Sequence, residues 1–127
     1  MEHMTPDITE EQAPFSTVTE WSGRTSFVTA NGEVELVNAP RLGAVLNQVV
    51  DERPDVLVLD ITAVTFLSSA GLAVLVRAHR NSSAVGALFR VVANNPATLR
   101  PIQLMGLDQE FEVFADGEGA LVGAAGL

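Results

Sequence analysis

At the centre of the chain, residues 60–72 read Asp-Ile-Thr-Ala-Val-Thr-Phe-Leu-Ser-Ser-Ala-Gly-Leu. They continue the run Val56–Asp60, which is apolar up to its final carboxylate. A short unbroken apolar run is typical of a strand that is covered on both sides in the middle of a sheet. After it, Ser68 and Ser69 precede apolar residues at helical spacing. We therefore expect a buried strand that leads directly into two serines at the start of a helix.

The two hydroxyls at this position allow two interpretations of their role. The first turn of a helix carries unpaired N–H groups and the positive end of the helix dipole, so a phosphate is stabilised there. Serine in the same place is also an ordinary N-cap, whose oxygen accepts a hydrogen bond from a backbone N–H. Position alone favours the cap.

A hairpin is predicted near the N-terminus. Phe15–Trp21 and Thr25–Ala30 hold β-branched residues in partial alternation, and the Ser-Gly-Arg sequence at 22–24 between them is typical of a turn. Asn-Gly at 31–32 is expected to break the second strand. Residues 33–35 then lead toward the first helix.

Helices and strands alternate in the rest of the predicted fold. Helices are expected at Pro40–Glu52, from the two serines to about Ser82, from Asn94-Asn95-Pro96 to Met105, and from Asp116 to about Ala125. Strands are expected at Val56–Asp60, Leu88–Ala93 and Phe111–Phe114, with a loop at Ser82-Ser83 and Gly86. Such alternation favours an α/β fold with a mixed or parallel sheet.

Several segments resemble the bacterial anti-sigma factor antagonists, which are single STAS domains. Residues 56–72 are similar to the phosphorylation segment of that family, and residues 32–39 to its turn into the first helix. Downstream, Asn95-Pro96-Ala97, Arg100 and residues 104–107 resemble the helix and turn before the last strand. The resemblance implies a STAS domain over residues 15–127, with a mixed central sheet and about four α-helices packed on it. Residues 1–14, which are acidic and polar, are expected to form a flexible tail.

The resemblance also implies a set of site residues. The expected phosphorylation site is Ser69, two residues before Gly71; Ser68 stands where most members carry Asp and is an alternative acceptor. Glu35 also replaces the Asp that is usual in the family. The expected partner-binding residues are Gly32, Glu33, Glu35, Asn38, Ser68, Ser69, Ala70, Gly71 and Leu72.

The implied function is a partner switch. The unphosphorylated chain would bind an anti-sigma factor that is also a serine kinase, and so release the sigma factor; phosphorylation would reverse the binding. ATP and Mg²⁺ would belong to the kinase, a serine phosphatase is a further expected partner, and the chain itself would carry no cofactor. A second reading stays open: a STAS subunit of a transporter or signalling scaffold without a phosphorylation switch.

Composition narrows the classes of function. Seven basic against sixteen acidic residues give a net charge of −9, which disfavours nucleic acid and anionic membranes as partners. Cysteine is absent, which excludes disulfides and thiolate metal sites, and the two histidines, His3 and His79, do not form a metal cluster. No apolar run approaches the roughly 20 residues that span a bilayer, so a cytoplasmic protein is expected.

Catalysis is disfavoured by the residues around Ser69. The pattern Leu-Ser-Ser-Ala-Gly at 67–71 lacks the first glycine of a hydrolase nucleophile elbow. His79 follows Ser69 by nearly three helical turns, about 15 Å at 1.5 Å per residue, too far to act as its base. The chain has no Lys and so no Walker-type phosphate loop. An esterase is therefore the remote third hypothesis, and any phosphate on Ser69 is expected to come from a separate kinase.

Overall fold

The computed structural model describes residues 14–125 and contains five strands and four α-helices within them. The strands are β1 (Ser16–Ser22), β2 (Thr25–Val34), β3 (Val56–Leu67), β4 (Leu88–Val92) and β5 (Glu112–Phe114). The helices are α1 (Ala39–Asp51), α2 (Ser69–Ala84), α3 (Pro96–Leu104) and α4 (Gly117–Ala125), with a 3₁₀ turn at Leu107–Gln109. The predicted tail at residues 1–14 lies outside the described residues except for Pro14.

One mixed sheet organises the fold. Its strands follow chain order from β1 to β5; β1 pairs antiparallel with β2, and every other pair is parallel. A tight hairpin suffices to join the antiparallel pair, whereas each parallel connection needs a crossover, which α1, α2 and α3 provide. The predicted α/β fold with a mixed sheet and four helices is confirmed.

The sheet separates two apolar layers. On one face, α1 and α2 pack against each other and against the sheet, and Leu46, Leu59 and Leu75 are fully buried there in one cluster that also includes Ile102 of α3. On the other face, Ala120 of α4 belongs to a smaller cluster with valines of β3 and β4. The alternation of side chains along each strand therefore supplies both layers. None of the helices within residues 14–125 is long and apolar enough to cross a membrane.

Two predicted strand ends were wrong, because both strands continue. β2 runs through Asn31-Gly32 to Val34, and β3 runs past Asp60 to Leu67. The register between them shifts near Asn31 and again at Gly32, whose φ of 95° suits glycine. The extensions pair with each other, Gly32 beside Val64 and Val34 beside Leu67. Each extension becomes a strand through this pairing, which the local sequence does not specify.

The predicted loop at Ser82-Ser83 was also wrong. Both serines lie inside α2, and Ser82 is fully buried. Helix ends elsewhere follow the sequence signals: Asn95 Oδ1 caps α3 by accepting hydrogen bonds from the N–H groups of Ala97 (2.8 Å) and Thr98 (3.3 Å). Gly106 follows α3 with φ of 70°, as expected of a residue after a helix end.

Asn95 also links α3 to the extension of β3. Its Nδ2 donates to the carbonyl oxygens of Thr62 (3.0 Å) and Val64 (3.3 Å). The adjacent Asn94 does not cap α3; its Nδ2 donates to the carbonyl of Ala115 at 2.9 Å. The extension of β3 beyond the end of β4 is therefore held by an amide side chain, where a strand neighbour is missing.

We expect Asn95→Ala to lower the free energy of unfolding by about 2 kcal/mol. The change removes a helix cap, worth about 1 kcal/mol, and leaves two partly buried carbonyls without a donor. Asn94→Ala is the matched control and should cost less than about 1 kcal/mol, because Asn94 is exposed and makes one bond. Urea unfolding followed by circular dichroism measures both; equal losses would contradict the linking role of Asn95.

Candidate functional site

Ser68 joins the end of β3 to the start of α2. Its backbone is extended (φ −76°, ψ 170°), and its Oγ accepts a hydrogen bond from the N–H of Gly71 at 3.2 Å, which is an N-cap. Its own N–H donates to the carbonyl of Val34 at 2.9 Å. Ser68 is half-buried and tied to both β2 and α2. Of the two serines, Ser68 is therefore the one that caps α2.

Ser69 is the first residue of α2 and differs from its neighbour in environment. Its side chain is exposed, and among residues 14–125 no hydrogen bond engages its hydroxyl. The backbone N–H groups of the first helical turn lack partners within the helix and favour negative charge nearby. The site therefore combines an accessible hydroxyl with a local field that stabilises an anion.

Gly71 allows α2 to lie close to the sheet. A Cβ at this position would be 2.7 Å from Leu67 Cδ1 and 2.9 Å from Val34 Cγ1, closer than real carbon atoms approach. The backbone of α2 therefore contacts the ends of β2 and β3 directly. This close approach fixes where the first turn of α2, and with it Ser69, emerges from the domain.

The segment between β2 and α1 lies beside the serine turn. Asn38 organises it: Asn38 Oδ1 accepts from the N–H of Glu35 at 2.8 Å, and Asn38 Nδ2 donates to the carbonyl of Glu33 at 2.9 Å. A hydrogen bond with the Glu35 carboxyl raises the pKa of Glu33 above its ordinary value, and desolvation and the negative charge of Glu35 act in the same direction. Two close, exposed carboxyl groups thus border the site.

The structure brings the predicted site residues to one end of the domain, but with different exposure. Glu33, Glu35 and Ser69 are exposed; Asn38, Ser68, Ala70 and Leu72 are half-buried; Gly32 and Gly71 are buried. The two glycines offer a partner little surface and shape the backbone. The exposed side chains available for contact are therefore the hydroxyl and the two carboxylates.

Sequence reasoning missed the apolar part of this surface. Leu36 is 75% exposed and Val37 is 89% exposed, and Phe66 at the end of β3 is also exposed. Leu36 and Arg77 line an open groove between the start of α1 and the first three turns of α2, next to Ala70. The available signal was the pair Leu36-Val37 itself, two apolar residues that fit neither the strand before them nor the helix after them.

The catalytic alternative finds no support in the position of His79. Its ring packs beside Phe89 and Phe111, with centroids 6.4 Å and 5.9 Å away. His79 is therefore a packing residue between α2 and the aromatic side chains beside it. A base for Ser69 is therefore not provided by this histidine.

Comparison with known proteins places this fold and site in a class. The STAS domain family matches residues 16–120. The anti-sigma-F factor antagonist RsfB of Mycobacterium tuberculosis is 38% identical over 110 residues, which cover 87% of this chain and 88% of RsfB. The crystal structure of an anti-sigma factor antagonist from Mycobacterium paratuberculosis is also 38% identical, with a TM-score of 0.82 over 88% of this chain and 97% of that one. The Bacillus protein SpoIIAA in its phosphorylated form shares the fold, with a TM-score of 0.68, 17% identity, and coverage of 86% and 99%.

These matches show that the chain belongs to the STAS domain family. Both relatives at 38% identity are named anti-sigma factor antagonists, and this chain is a member of that group. The family assignment made from the serine turn and its flanking segments is confirmed.

We expect Gly71→Ala to lower the free energy of unfolding by about 1–3 kcal/mol, because the added methyl group overlaps Leu67 and Val34. Gly43→Ala, also inside a helix, is the control: its Cβ would meet Val74 at an ordinary 3.7 Å. That control should be neutral or stabilising by about 0.5–1 kcal/mol, since alanine favours helix. Urea midpoints compare the two; a neutral Gly71→Ala would refute the close approach.

The two serines should also differ in stability tests. Ser68→Ala removes the N-cap and is expected to cost about 1 kcal/mol, whereas Ser69→Ala should change stability by less than about 0.5 kcal/mol. Thermal unfolding at equal protein concentration measures both. The reverse order of effects would assign the cap to Ser69.

Proposed function

We propose that this anti-sigma factor antagonist is switched by phosphorylation of Ser69. The observation that carries the proposal is that the two serines have different roles. The Ser68 hydroxyl is engaged as the N-cap of α2, and Ser69 is exposed at the first turn of the same helix. A kinase needs an accessible hydroxyl, and the fold needs its cap. Here each requirement is met by a different residue, so modification does not compete with capping.

The unmodified surface around Ser69 binds an anti-sigma factor, which releases the sigma factor. The relative RsfB is named as an antagonist of an anti-sigma-F factor, and we transfer that class of partner to this chain. An anti-sigma factor partner places its action in the cytoplasm. Serine kinase activity, with its ATP and Mg²⁺, belongs to the partner, and a serine phosphatase restores the hydroxyl. The chain itself acts by binding and performs no catalysis.

Phosphorylation reverses binding through local electrostatics. A phosphate brings about −1.5 to −2 charges, which the N-terminus of α2 tolerates within the free domain. In a complex the same group is desolvated and lies on the side of the domain that already carries the Glu33 and Glu35 carboxylates. A partner that faces these carboxylates then meets a changed charge and shape. Each loss of about 1.4 kcal/mol weakens binding tenfold, so no refolding is required.

SpoIIAA, which shares the fold, is known in both an unphosphorylated and a phosphorylated form. That fold therefore holds a phosphate in at least one of its members. For this chain, the accessible Ser69 hydroxyl supports the same modification.

We expect Ser69→Ala to abolish phosphorylation by the anti-sigma factor kinase while binding to it is retained. Ser69→Asp should weaken that binding by about tenfold, since it adds a negative charge at the interface. The measurements are tandem mass spectrometry after incubation with kinase and ATP, and titration calorimetry with the same kinase.

Ser68→Ala is the matched control in this experiment and should still be phosphorylated at Ser69. Phosphate found only on Ser68 would overturn the choice of acceptor. If incubation with kinase and ATP leaves both serines without phosphate and binding unchanged, that result would instead favour the scaffold subunit as the function.

A further inference from the structure

The groove beside Ser69 is formed by the start of α1, the first three turns of α2 and the segment that precedes α1. It is open to solvent, with a volume of about 240 Å³. Its lining is apolar, from Leu36, Pro40, Ala70, Ala73 and Val74, except for one charged residue, Arg77. The groove therefore presents a cation within an apolar surface.

Part of the apolar lining is exposed, and more apolar surface borders it. Leu36 lines the groove while largely exposed, and its neighbour Val37 is more exposed still. Ala70 and Ala73 have short side chains, which lets a partner's backbone come close to α2. A contiguous exposed apolar surface of this kind marks an interaction site on a protein, because burying it releases water.

Arg77 determines the chemistry of the occupant. It is exposed, and the ion pairs within residues 14–125 involve Arg24 and Arg90 and not Arg77. A partner that covers the groove removes water from the guanidinium, and a charge that is buried without a counter-ion strongly opposes binding. The planar guanidinium matches a carboxylate, with two parallel hydrogen bonds.

Ser69 does not meet this need itself when phosphorylated. Arg77 follows Ser69 by eight residues on α2, which places their backbones about 12 Å apart along the helix. The carboxylates of Glu33, near the end of β2, and of Glu35, in the segment between β2 and α1, are also unpaired with Arg77. Because no carboxylate within residues 14–125 pairs with Arg77, we assign its counter-ion to the partner.

We propose that the anti-sigma factor inserts apolar side chains into this groove and pairs a carboxylate with Arg77. The identity of the partner rests on the proposed function; the groove and its charge do not. Arg77 is thus a specificity residue: it favours a partner segment in which an acidic side chain lies beside apolar side chains. The switch at Ser69 and the recognition at Arg77 occupy the two ends of one surface.

The test measures the dissociation constant of the anti-sigma factor that binds the unphosphorylated parent chain. Leu36→Asp and Arg77→Glu should each weaken binding at least about tenfold, because one adds a desolvated charge to the apolar groove and the other repels the partner's carboxylate. Arg80→Glu is the matched control, an exposed arginine on the same helix outside the groove, and should change the constant by less than about threefold. Circular dichroism verifies the fold of each variant.

A charge exchange provides the second measurement. Replacement of single Asp and Glu residues of the partner by Arg should identify one change that restores binding to Arg77→Glu and weakens binding to the parent. Equal effects of Arg77→Glu and Arg80→Glu, with no restoring exchange, would overturn the proposal. If Ser69 is still phosphorylated in those same variants, the proposed function holds even though the groove proposal fails. A parent chain that binds no anti-sigma factor would overturn both.

Discussion

The close contact between the first turn of α2 and the ends of β2 and β3 is the constraint on which the site depends. Gly71 permits it because no Cβ fits between Leu67 and Val34. Ser68 fixes it in both directions, donating its N–H to Val34 and accepting from the N–H of Gly71. With these groups satisfied, the next residue, Ser69, is exposed at the end of the domain. The exposure of one hydroxyl is thus a consequence of packing beneath it.

The same contact brings a charged surface and an exposed apolar surface together around Ser69. The extension of β2 beside β3 brings the segment after Val34 to the serine turn, and Asn38 ties that segment to the end of β2 through hydrogen bonds with the backbone of Glu33 and Glu35. Carboxylates and exposed apolar side chains therefore lie around Ser69. The pairing of the backbone segments brings them there, and no contact among these side chains is needed. The backbone places them, so the phosphate changes the charge and shape of this surface at Ser69 without any refolding of the segments around it.

This arrangement separates folding from regulation. The cap, the close glycine and the buried leucines stabilise the domain, while the groups proposed to act in binding are exposed and contribute little to stability. A phosphate at the N-terminus of α2 is electrostatically compatible with the helix, so its energetic effect falls on the complex. A binding domain regulated in this way changes partners through its surface, with its core unaltered.

The sequence by itself determined the elements whose signals are local. The apolar run Val56–Leu59, the helical pattern of α1 and the serine pair before α2 were sufficient to predict the α/β fold, and the resemblance of residues 32–39 and 56–72 indicated the family. Tertiary structure alone decided the extensions of β2 and β3, because they are strands only through pairing with each other. It also decided that Ser68 caps and Ser69 is exposed, and that Leu36 and Arg77 share a groove. Local sequence carries hydrogen-bond and hydrophobic preferences, whereas accessibility and juxtaposition arise only when separate segments pack.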